Sequence, residues 1–187
     1  WAEKELALFR EDLTQLLKSH ISGSDKKIYL GAVILMKKET KGVTSAKEFF
    51  VIDGQQRYTT VYLAILALAE YFKKHHIKNN LKDFFASSAK GSENCPKLNV
   101  TSLDTKQFNA ILERQNSENF LMNTVSGQGR DNGSLSDAYS FINERILYPL
   151  ISEYEGDFDD SEQCVTKLKD LILNNLVVTD IVLSRQF

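Results

Sequence analysis

The residues best suited to chemistry lie in one decapeptide, Val51-Ile52-Asp53-Gly54-Gln55-Gln56-Arg57-Tyr58-Thr59-Thr60. A β-prone apolar run over 49–52 stops at Asp53-Gly54, and a long apolar run begins at Val61. Between them sit an acid, a glycine, two amides, a guanidinium and two hydroxyls. The pattern reads as a strand, a tight turn and a helix start. Backbone N–H groups are free at a helix start and attract anions. An arginine fork matches a phosphate in bidentate fashion. Thr59 and Thr60 add hydroxyl donors.

Two readings of this junction stand side by side. In the first, Asp53 is an N-cap, Gln56 closes a capping box and Gly54 permits the chain reversal. That structural reading leaves Arg57 unexplained. A cation in the first helical turn opposes the helix dipole by about 0.3–1 kcal/mol. The cost is offset if Arg57 pairs with Asp53 or with a bound anion, and the second reading takes the anion.

The elements that must position these residues follow from hydrophobic periodicity. Leu6, Phe9, Leu13, Leu16 and Leu17 predict a helix over 2–18, followed by a polar loop to Lys27. Residues 28–36 are apolar on both faces apart from small Gly31 and Ala32, which predicts a central, covered strand. A polar connection over 37–47 joins it to the strand at 49–52 as a long-looped hairpin. The helix over 54–74 is apolar around nearly its whole circumference from Val61 to Ala69, so it is expected in the core.

Further along, short helices are predicted over 81–86 and 104–114, with Asp104 as a cap, and a short strand over 98–101. The stretch 116–133 is rich in Asn, Ser and Gly and reads as a loop. A helix over 134–154 starts at Ser134 and is kinked or ended by Pro149. An acidic turn, a helix over 161–174 and a β-branched strand over 176–183 close the order. The fold class is α+β, with a small mixed sheet, a long buried helix, a mainly helical part and a returning strand. Its parts are a core over 1–75, a mainly helical part over 76–175 and a strand over 176–187, together one incomplete domain.

Composition narrows the function classes. The chain has 187 residues, 42% hydrophobic and 26% charged, with a net charge of −2. That balance offers no global attraction to nucleic acid or anionic membrane. The longest apolar run is shorter than the roughly 20 residues that span a bilayer. Cys95 and Cys164 form no CxxC pair, and with no signal peptide a cytoplasmic protein is the easier reading. The chain begins at Trp1 and ends at Arg185-Gln186-Phe187, as a fragment would.

Other candidate sites are weaker. The sequence has no GxxxxGK[ST] or HExxH pattern. His20 and the His75-His76 pair suit helix ends. Asp157, Asp159 and Asp160 suit a solvated turn and a helix cap better than a cation loop. Lys73, Lys74, Lys78 and Lys82 form a basic cluster that could meet nucleic-acid phosphate. The Phe49-Phe50 and Phe84-Phe85 pairs are expected in the core.

The decapeptide, followed by an apolar helix, resembles the signature of the GmrSD restriction endonuclease N-terminal domain family. That family typically has a strand ending in Asp-Gly-Gln-Gln-Arg, then an aliphatic residue and Thr-Thr, so only Tyr58 departs. Trp1 resembles the last residue of an upstream Gln-Arg-x-Tyr-x-Trp segment, whose earlier part is not in this sequence. A downstream Phe-x-x-Leu-Asn segment is not in it either. The resemblance implies a fold related to the ParB and sulfiredoxin folds. It also implies a module that binds and hydrolyses a nucleoside triphosphate in a prokaryotic anti-phage restriction system directed at modified DNA. By that analogy Asp53 and Arg57 are catalytic. Gly54, Gln55, Gln56, Arg57, Thr59 and Thr60 hold the nucleotide, with Mg as the accompanying metal and no metal ligand assigned. Implied partners are nucleotide, DNA through another domain or the lysine cluster, and a nuclease domain or a second copy of the chain. The alternatives are a DNA-binding adaptor that holds backbone phosphate, and a structural or interaction domain without catalysis.

Overall fold

The computed structural model describes residues 3–38, 47–88, 94–116, 121–123, 129 and 133–183. Trp1, the middle of the 37–47 connection, most of the 116–133 stretch and Arg185-Gln186-Phe187 lie outside the described residues.

Helix α1 (Glu3–Ile21) buries Leu6, Phe9, Leu13, Leu16 and Leu17 along one stripe. Glu3 and Glu5 in its first turn and Lys18 and His20 in its last complement the helix dipole. Strands β1 (Ile28–Lys37), β2 (Phe49–Asp53) and β3 (Leu176–Leu183) form one sheet in the order β2-β1-β3. β2 is antiparallel to β1, with Ile34 opposite Asp53 and Lys37 opposite Phe49. β3 returns after the helices and lies parallel to β1, from Ile28 beside Leu176 to Met36 beside Leu183.

β1 is therefore central, as its composition predicts, but the expected cover on both faces is corrected. Val33 is fully buried and Leu35 nearly so, whereas Tyr29 is 60% exposed. Leu30, Ile34 and Met36 are partly buried, so the cover is incomplete rather than absent from one face. Phe49 and Phe50 point to opposite faces of the edge strand β2 and are both exposed, and of the Phe84-Phe85 pair only Phe85 enters the core.

Helix α2 (Gln55–Lys74) runs 20 residues, about 30 Å at the α-helical rise. Every side chain from Leu63 to Leu68 is inaccessible to solvent. Burying each of the Leu and Ile side chains stabilises the fold by about 1.5–3 kcal/mol. One hydrophobic cluster joins these residues to α1 and to residues as distant as Ile172.

Helices α3 (Lys82–Phe85) and α4 (Thr105–Glu113) follow. The strand expected over 98–101 does not form. Thr101 is drawn into the approach to α4, its Oγ1 donating to Asp104 Oδ2 at 2.8 Å and its carbonyl accepting from the Asp104 N–H at 3.0 Å. The single helix expected over 134–154 is three segments, α5 (Ser134–Phe141), a π-helical stretch (Ile142–Leu147) and α6 (Tyr148–Tyr154), with Gly133 rather than Ser134 at the N-cap. Pro149 stands in the first turn of α6. It has no N–H, and its ring crowds the carbonyl four residues back, so the wider π turn ahead of it accommodates the break.

Asp160 caps α7 (Ser161–Asn175), its Oδ1 accepting from the Gln163 N–H at 2.8 Å. Cys95 and Cys164 are free thiols. Among the described residues no helix is long and apolar enough to cross a membrane. The architecture is mixed α+β, a small three-stranded sheet with several helices.

Candidate functional site

The β2–α2 junction opens into a cleft of about 620 Å³. That is within the range of about 300–1,000 Å³ common for small-molecule sites. Asp53, Gly54, Gln55, Gln56, Arg57 and Thr60 line it from the motif. Thr59 does not. It is buried, and its hydroxyl donates to the Gln55 carbonyl at 2.8 Å within the helix.

The capping box does not form. Asp53 is the last residue of β2, so the N-cap falls on Gly54, in a left-handed conformation (φ 82°, ψ 15°) with no side-chain hydrogen bond at the cap. Tyr58 N–H reaches back to the Gly54 carbonyl at 3.3 Å. The N–H groups before it belong to the first turn, where an α-helix has no internal acceptors. Gly54 also lies against β1. A Cβ there would meet Val33 Cγ2 at 2.9 Å and the Ala32 carbonyl oxygen at 3.2 Å.

Arg57 does not pair with Asp53. Its Nη1 donates to the Ala32 carbonyl at 2.9 Å, and its guanidinium lies over the Gly31 backbone. Gly31 has φ +110°, and a Cβ there would stand 3.1 Å from Arg57 Nε. The β1–β3 register shifts between Tyr29 and Gly31, so the glycine marks an irregularity that lets the guanidinium approach the strand. Among the described residues Arg57 has no ion pair. A Gly31→Ala protein is expected to lose about 1–3 kcal/mol in urea unfolding, the usual cost of a side chain in that backbone region. A loss within 0.5 kcal/mol, roughly the scatter of ordinary surface changes, would show that β1 relaxes freely here.

The amides divide their work. Gln55 Nε2 donates to the Val51 carbonyl at 2.9 Å and staples β2 to α2. Gln56 is exposed, and its side chain makes no hydrogen bond among the described residues. Tyr58, the one departure within the decapeptide from the motif it resembles, donates from its hydroxyl to Asp180 Oδ1 on β3 at 3.0 Å. Burial, with Asp180 as acceptor and charge, pushes this phenol up to about 12, so it remains a donor at ordinary pH.

Sequence reasoning passed over the opposite wall. Glu5, Leu8, Phe9 and Asp12 of α1 face the motif across the cleft. An exposed leucine at position 8, off the buried stripe of α1, was the available signal. Gly31 inside an apolar strand was a second.

A larger groove of about 1180 Å³ follows the face of α1 that carries Glu3, Ala7, Arg10 and Thr14. It contains none of the motif. Arg10, Lys18 and Arg145 there are matched by Glu3, Glu11, Asp137 and Glu153, so it offers no net field for an anion. The lysine cluster is partly committed to the fold. Lys73 Nζ donates to the Arg114 carbonyl at 2.9 Å and also to the Asn116 carbonyl. Lys74 Nζ lies 5.3 Å from the Tyr148 ring centroid. His75 ends α2 stacked on Tyr71 at 4.2 Å.

The chain matches the family described as GmrSD restriction endonuclease, N-terminal domain, over residues 1–186. No curated protein matches the chain.

Proposed function

The chain belongs to the GmrSD restriction endonuclease N-terminal domain family, and from that membership and the cleft we propose that it binds and hydrolyses a nucleoside triphosphate within a modification-dependent anti-phage restriction system. Membership makes it a restriction-system component. The nucleotide reading rests on the cleft.

One observation carries it. Arg57 stands in the first turn of a helix whose N-terminus has no side-chain cap, and it is tethered by a neutral carbonyl rather than by an acid. A cation so placed opposes the helix dipole unless an anion joins them. The tether to Ala32 fixes the guanidinium and leaves its other N–H groups for phosphate oxygens, in charge-assisted hydrogen bonds. The first-turn N–H groups add donors to the same end of the cleft.

Gln56 and Asp53 then divide the hydrolytic work. The Gln56 amide positions a phosphate oxygen or the attacking water. Asp53, whose carboxylate makes no hydrogen bond among the described residues, orients that water and accepts its proton as the oxygen bonds to the terminal phosphorus. The bond to the leaving diphosphate oxygen breaks, and Arg57 stabilises the charge transferred to the phosphates. Where Mg²⁺ accompanies the triphosphate, Asp53 is the motif carboxylate available to hold it. Among the described residues no group of three His, Cys, Asp or Glu forms a metal cage. Mg²⁺ bound through one or two carboxylates plus phosphates needs none.

Titration with nucleoside triphosphates and with duplex DNA at two salt concentrations tests the proposal. Saturable triphosphate binding and release of inorganic phosphate are expected. Steeply salt-dependent DNA binding without triphosphate binding would overturn it in favour of a backbone-phosphate adaptor. Binding of neither would leave a structural domain.

A further inference from the structure

The cleft has a wall that the motif does not supply. We infer that this wall, built by α1, is a nucleoside subsite in which Leu8, with Leu30 and Val61, takes the face of the base and the Asp12 carboxylate accepts the ribose hydroxyls. The inference rests on the triphosphate reading of the same cleft and adds the sugar and the base to it.

Leu8 is 51% exposed, off the stripe of buried apolar side chains that α1 carries from Leu6 to Leu17. It lines the cleft together with Leu30 and Val61, each partly buried. An apolar surface beside a few polar groups is how small-molecule sites hold a planar ring. Asp12 follows Leu8 by four residues, so both lie on one face of α1.

The Asp12 carboxylate is partly buried and, among the described residues, has neither a hydrogen bond nor an ion pair. Burial and then the neighbouring Glu11 raise its pKa, while Lys26 acts in the other direction. An ionised carboxylate can only accept hydrogen bonds. Left without donors in a partly dry place, it is penalised. A ribose supplies two adjacent O–H donors. A phosphate, itself an anion and an acceptor, matches the Asp12 carboxylate less well than these donors do. The cleft carries opposite charges on its two helices, Arg57 on α2 and Asp12 on α1. That polarity sets one orientation, phosphates toward Arg57 and sugar toward Asp12.

The test compares three ligand classes by calorimetry on the same chain: ribonucleoside triphosphates, their 2′,3′-dideoxy counterparts and inorganic triphosphate. The parent protein is expected to bind the ribonucleotide about tenfold more tightly than the dideoxy form, the worth of one charge-assisted hydrogen bond. In Asp12→Ala that ratio falls to about one, while inorganic triphosphate binds as well as before or better. Leu8→Ala weakens both nucleotides and leaves inorganic triphosphate unchanged. A ratio near one in the parent, or a ratio that persists in Asp12→Ala, overturns the inference. If Arg57→Ala abolishes inorganic triphosphate binding while the sugar ratio is one, the subsite fails and the phosphate site stands. If the parent binds none of the three, the underlying reading fails and the subsite with it.

Discussion

An Arg57→Ala protein is expected to bind nucleoside triphosphates about 10- to 100-fold more weakly than the parent and to release no measurable phosphate. The magnitude is that of one hydrogen bond to a charged group, about 1.5–3 kcal/mol. The geometry explains why the loss falls on binding rather than folding. Arg57 is exposed, and its one hydrogen bond goes to the Ala32 carbonyl. Its removal also relieves a cation at a helix N-terminus. The thermal midpoint is therefore expected to stay within a few degrees of the parent value. Arg57→Lys separates charge from shape. It keeps the positive charge but loses the planar fork, so it recovers part of the affinity and little of the hydrolysis. Calorimetric titration beside a phosphate-release assay reads both effects. An Arg57→Ala protein that binds and hydrolyses as the parent does would sink the proposal, because no other cation lines this cleft among the described residues.

Gly54→Ala is expected to act on the opposite quantity. At φ 82° an alanine incurs about 1–3 kcal/mol of backbone strain. Its methyl group would also stand 2.9 Å from Val33 Cγ2 and 3.2 Å from the Ala32 carbonyl oxygen. Overpacking of that kind adds about 1–3 kcal/mol. Val33 is fully buried in the central strand, so it has little room to retreat. The sum, about 2–6 kcal/mol, is a large share of the 5–15 kcal/mol that ordinarily holds a domain together. Urea unfolding followed by circular dichroism measures it. A loss below about 1 kcal/mol would mean that the junction can open away from β1. The motif glycine would then serve ligand approach rather than packing.

These two variants separate the two roles that the sequence leaves entangled. Asp53 and Gln56 spell a capping box, and the box does not form because the strand runs one residue further than the cap requires. Gly54 takes the cap position, and both polar side chains are left facing the cleft. Arg57 reads as a cation in need of an anion, and its first partner is a carbonyl two residues into an irregular part of β1. Thr59 and Thr60 look equivalent as hydroxyl donors. Helical rotation puts Thr60 on the cleft and turns Thr59 back onto the Gln55 carbonyl.

What the sequence determined by itself is local. The periodicity of Leu6 to Leu17 fixes α1, and the continuous apolar run after Val61 places α2 in the core. Asp53-Gly54 marks the turn between β2 and α2, and the decapeptide as a whole carries the family. Each of these depends on residues within a few turns of one another, so chain order suffices to read it. The tertiary structure decided what depends on neighbours distant in sequence. It placed β3 beside β1 with incomplete cover over the sheet, and it brought α1 to the cleft as a second lining element beside the motif. It also brought the Ala32 carbonyl under Arg57 and Asp180 to Tyr58. Those pairings need loops to close over 25 and 122 residues. No local pattern encodes them, because their geometry comes from burying α2 between the helices and the sheet.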